Sequence, residues 1–165
     1  MRARFCFAHA IFSLLRYYPG MWLIYALGAA ILWGVNYSVS GRLLERGLSP
    51  FTLFLFDLVF GILTIGGIII ATGKARSIPA EIRSLGPNWP MLLVVMACAT
   101  AAGLLSFVAI GAKNATLASL IEISYPFFVA LFAWLFFREV QINLPTLIGG
   151  CMIIGGVAAV YLGNH

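Results

Sequence analysis

Residues Ala115–Phe137 read ATLASLIEISYPFFVALFAWLFF, a run with a single charged residue, Glu122. An apolar stretch of about 20 residues is what a helix needs to cross the hydrocarbon core of a bilayer. This run meets that length, and Lys113–Asn114 and Arg138–Glu139 punctuate its two ends. Working outward, the same test selects Met21–Ser40, Phe51–Thr72, Pro90–Ala112 and Leu144–Leu162. Short polar links at Gly41–Pro50, Gly73–Trp89, Lys113–Asn114 and Arg138–Asn143 carry nearly all of the charge. The fold expected is an all-α integral membrane protein with five transmembrane helices. Residues 21–163 form one five-span domain, and residues 1–20 form a cytoplasmic or interfacial segment before it.

Composition supports this reading. Of the 165 residues, 62% are hydrophobic and 9% charged, against about 25% charged in soluble domains. That leaves too little polar surface to cover a water-soluble fold. The net charge of +5 is scattered through the links rather than gathered in runs, so it suits an anionic membrane surface and not nucleic acid. Cys6, Cys98 and Cys151 stand apart without ligand partners and read as small packing residues. No cofactor or metal is called for.

Local chemistry fits the edges. Pro50, Pro90 and Pro145 fall where spans begin, and proline is tolerated in a first turn because its missing N–H would be unpaired there. The two-residue link Lys113–Asn114 forces a tight hairpin. In residues 1–18, Arg2 and Arg4 precede the apolar Phe5–Leu15 and Arg16, the pattern of an interfacial helix. No small-residue cleavage site precedes Arg16, so the segment is expected to be retained; His9 within it receives no role. Basic residues on alternate sides number seven (Arg2, Arg4, Arg16, Lys74, Arg76, Arg83, Arg138) against three (Arg42, Arg46, Lys113). That bias predicts a cytoplasmic N-terminus and an outer C-terminus.

Two acids, Asp57 and Glu122, fall inside spans. A carboxyl group at mid-bilayer costs about 2.5 kcal/mol or more, so it is expected to face a bundle interior or a wet cavity. Both spans start on the same side, and at about 1.5 Å per residue both acids lie roughly 10 Å from that edge. One chamber is expected to hold the pair. Trp33, Asn36, Tyr37 and Ser40 follow i, i+3, i+4, i+7 and share a face of the first span, while Ser106, Ser119 and Tyr125 lie at comparable depth. Apolar walls with a few convergent polar groups suit a small-molecule site. The alternative for each acid is a hydrogen-bonded structural group tying two helices together. Pro126 should kink its span and free a carbonyl near the chamber. Gly149, Gly150, Gly155 and Gly156, Ala26, Ala29 and Ala30, and Ala99, Ala102 and Gly103 read as close-packing positions. HExxH, GxSxG and P-loop motifs are absent, so an enzyme is not expected.

In order and spacing, three pieces resemble the EamA domain of the drug/metabolite transporter superfamily. They are Ala29–Ala30–Ile31–Leu32–Trp33–Gly34 with Ser49–Pro50, then Ala115 through Glu122 and Pro126 to Phe137–Arg138–Glu139, then Gly149–Gly150 with Gly155–Gly156–Val157. The resemblance spans about residues 21–163. It implies a secondary transporter of small metabolites or drug-like solutes in a bacterial inner membrane, with Glu139 structural. Family members often carry arginine where Asp57 stands, a reversal of charge that favours cationic or amine-bearing solutes. Many fuse two five-helix repeats of opposite orientation, so a homodimer or paralogue heterodimer is expected of this single repeat. The small multidrug resistance type places its glutamate in the first span, where this chain has Asn36. Rival readings are a non-transporting membrane subunit, and a lipid-linked substrate flippase with a lateral opening lined by Phe54, Phe56 and Phe60.

Overall fold

The computed structural model describes residues 21–139 and 143–163; the interfacial helix expected within 1–20 lies outside these. The described residues form α1 (Met21–Glu45), α2 (Pro50–Ala71), α3 (Ile78–Ser84), α4 (Trp89–Ala112), α5 (Ala115–Glu122), α6 (Tyr125–Phe137) and α7 (Leu144–Gly163). Five stretches are long and apolar enough to cross a membrane: α1, α2, α4 with the 3₁₀ turn before it, α5 with α6, and α7. The five expected spans are thus present, with three local corrections.

The first span runs on to Glu45 instead of ending at Ser40. Arg42 and Glu45 pair at 3.3 Å on its exposed side, and Leu44 still packs on the core. Termination waits for Gly47, whose φ of 93° lets the chain turn left-handed at no steric cost. Its amide donates to the Leu44 carbonyl at 2.9 Å, and the Leu48 amide to that of Leu43 at 3.1 Å, the paired pattern of a Schellman close.

The link after the second span is not wholly irregular. It holds α3 between 3₁₀ turns at Lys74–Arg76 and Gly86–Asn88.

The third correction concerns the fourth span. It is two helices, α5 and α6, separated by Ile123–Ser124. Pro126 has no amide to offer the Glu122 carbonyl four residues earlier, and its ring disfavours α geometry at the residue before it. The chain therefore turns ahead of the proline. The Ser124 amide reaches only the Ile121 carbonyl, at 3.1 Å.

Packing concentrates where α1 ends, α2 begins, α4 ends and α5 begins. Phe107, Ile110 and Ala118 form a buried cluster with Tyr37, Leu44, Leu53, Phe54 and Ala115 against it. The rings of Phe54 and Phe107 lie 6.0 Å apart. A Cβ on Gly103 would stand 2.7 Å from the Phe54 ring, and one on Gly41 would stand 3.3 Å from the Ala115 Cβ. Backbones approach closely here because these positions carry no side chain, which is how helices gain dispersion contact in a medium as apolar as themselves. Asn114 closes the hairpin by accepting the Leu117 amide at 2.8 Å.

The far end is different. Among the described residues outside this region only Ala133 is buried. A Cβ on Gly149, Gly150, Gly155 or Gly156 would meet nothing within 4 Å. The close packing expected for the last span is thus absent among the described residues, because α7 rests chiefly against the short α5.

Candidate functional site

Between α1 and the broken α5–α6 span lies a cavity of about 840 Å³. Ala26, Ala29 and Ala30 form its wall on α1; small side chains there leave space instead of closing a helix contact, correcting the expected role of these alanines. Trp33, Gly34, Tyr37 and Ser38 continue the wall toward the packed end. Across from them stand Ala115, Thr116, Ser119, Leu120, Glu122, Ile123 and Tyr125.

The Tyr37 hydroxyl donates to Glu122 Oε2 at 2.5 Å. Both side chains are half-buried, and the contact joins residues far apart in the sequence. It sits directly below the packed end, since Tyr37 also touches the core cluster. Trp33 meets Tyr37 edge to face, with centroids 5.4 Å apart. Glu122 is the last residue of α5, so its carboxyl group and its unpartnered-by-proline carbonyl lie together at the break.

Of the expected site residues, Trp33, Tyr37, Ser119, Glu122 and Tyr125 line this one cavity. Ser119 donates within its own helix to the Thr116 carbonyl at 3.0 Å. Three others are placed elsewhere. Asn36 accepts a 3.5 Å bond from the buried Ser40 and is not among the lining residues. Ser106 lies beside Tyr37 but donates to the Ala102 carbonyl at 3.0 Å. Asp57 is exposed on α2 and does not line the cavity. The shared chamber for the two acids is therefore not formed: α2 packs on α4, while Glu122 faces α1. Equal depth did not mean equal direction.

Ser38, Thr116 and the three alanines were not assigned to the site by sequence reasoning. Thr116, Ser119, Leu120 and Ile123 follow i, i+3, i+4, i+7 and form one helical face, a signal that points to them once Glu122 is fixed as a lining residue. The three rings named for a flippase's lateral opening do not share one environment. Phe54 packs inward on Phe107, whereas Phe56 and Phe60 are exposed. Among the described residues no group of three or more His, Cys, Asp and Glu side chains gathers as a metal site.

Five candidate spans among the described residues, one of them broken beside the Glu122 carboxyl group at a cavity wall, define a multi-pass membrane protein. Residues 20–162 match the model of the EamA-like transporter family. The chain belongs to that family, a branch of the drug/metabolite transporter superfamily, whose members are transporters. No curated protein and no solved structure matches it.

Proposed function

We propose that this chain is one half of a secondary transporter that exports or exchanges small metabolites or drug-like solutes across a bacterial inner membrane. The observation that carries this is the cavity at the broken span, closed at one end by the core cluster and bounded there by the Tyr37–Glu122 contact. Discontinuous helices near mid-membrane are where such transporters bind substrate and coupling ion. With the N-terminus cytoplasmic, as the basic residues indicate, the closed end lies outside and the cavity faces inward.

A second half, from another copy or a paralogue, completes the reading. Asp57 is exposed on an oily helix with no ion pair or hydrogen bond among the described residues, a costly placement against lipid. The open glycines of α7 likewise offer a surface for close approach.

The test is uptake of a panel of amines, amino acids and neutral drugs into proteoliposomes under an imposed pH gradient. Gradient-driven accumulation that Glu122→Gln abolishes is expected. Accumulation that ignores both the gradient and Glu122→Gln would remove the coupling role. Failure of every solute to cross would favour the non-transporting subunit.

A further inference from the structure

The cavity's walls also bear on what it takes. Among the residues that line it, Glu122 is the only carboxylic acid, and none is Lys, Arg or His. The two half-helix ends at the break carry opposite partial charges of about half a unit each, so they nearly offset. An acid with no base opposite it then sets the sign of charge that the site can answer. Trp33, Tyr37 and Tyr125 line the same cavity, and alanines with Leu120 and Ile123 make up its apolar wall. Ser38, Ser119 and Thr116 supply hydroxyls, but Ser38 and Ser119 already donate to backbone carbonyls in their own helices.

We propose that the substrate class is a monocationic amine with an apolar or aromatic body, and that its ammonium group takes the place of the Tyr37 hydroxyl as hydrogen-bond donor to Glu122. This rests on the transporter reading of the same cavity. An anionic solute would bring its charge beside a carboxylate with no cation on the walls to answer it. A neutral solute of the same shape would fill the apolar part but form only an ordinary hydrogen bond at Glu122. The ammonium instead makes a charge-assisted bond, and the aromatic rings that line the same cavity suit an apolar or aromatic body. Displacing Tyr37 has a structural consequence, because that hydroxyl ties α1 to α5 just below the core cluster. Occupancy of the site therefore removes one tie from the closed end.

Binding to the purified, reconstituted protein is read by tryptophan fluorescence with three probes that share a phenylethyl body: 2-phenylethylamine, 2-phenylethanol and 3-phenylpropionate. The amine is expected to bind roughly tenfold or more tightly than the alcohol, with the carboxylate weakest. Glu122→Gln should erase the preference, Tyr37→Phe should keep it, and Asp57→Asn, outside the cavity, should leave it unchanged. Equal binding of the three probes by the wild-type protein, or a preference that survives Glu122→Gln, overturns the proposal; the wild-type comparison does not depend on any variant folding. Exchange of the same probes in proteoliposomes, with protein-free vesicles as background, separates the two readings. If the alcohol or carboxylate exchanges and the amine does not, the substrate class is wrong and transport stands. If the amine binds through Glu122 but nothing exchanges, the class stands and transport falls.

Discussion

The two ends of the bundle are built from similar residues and packed in opposite ways. At the closed end, four helices meet around Phe107 and Ile110, and Gly41 and Gly103 have neighbours where a side chain would stand. At the open end, α6 and α7 spread large apolar side chains outward, and four glycines of α7 face nothing within 4 Å. Hydropathy does not separate them, because both ends are oily throughout. The difference lies in whether a glycine on one helix meets a side chain on another. Gly41 faces Ala115 and Gly103 faces Phe54, so closure is a matter of paired surfaces, and the α7 glycines have no pair among the described residues.

Substitutions sharpen that contrast. Phe107→Ala should cost most, about 3 kcal/mol, since it empties the centre of the closed end; thermal unfolding in detergent reads it, and a loss near zero would mean the ends are equally loose. Gly103→Ala should cost about 1–3 kcal/mol because its Cβ would sit 2.7 Å from the Phe54 ring. Tyr37→Phe leaves Glu122 without the donor at the boundary between the two regions and should cost about 1–2 kcal/mol. Smallest is Gly155→Ala, with open space at its Cβ. It should change protomer stability by under about 1 kcal/mol, in the stabilising direction. If α7 seats a second half, the same variant should weaken dimerisation in light scattering while protomer stability holds.

How far the sequence revealed this depends on which property is asked for. Span number follows from length and polarity, and Met21, Pro50, Ala115 and Leu144 begin helices within one residue of expectation. The Tyr37 and Glu122 sides of the site were legible too, because each carries a polar group on an apolar helix. Asp57 shows the limit. Rise per residue gives its depth, but the residues around it, Phe54 to Phe60, are apolar on every side. No stripe therefore says which way α2 turns. The break in the fourth span was half visible: Pro126 announced a disturbance, and the structure places it two to three residues earlier, at Ile123–Ser124. Ala26, Ala29 and Ala30 look identical in sequence whether they admit a helix or leave a hole.

The most direct test of one closed end and one open cavity is thiol accessibility from each side of the membrane. Single cysteines replace Ala30, on the cavity wall, and Ala118, in the core cluster, with Cys6, Cys98 and Cys151 changed to serine. A membrane-impermeant maleimide should label Ala30→Cys from one side only, should be slowed by bound amine, and should leave Ala118→Cys unmodified from both sides. Equal labelling of the two positions, or labelling of Ala118→Cys ahead of Ala30→Cys, would contradict the arrangement of closed end, cavity and Glu122 described above.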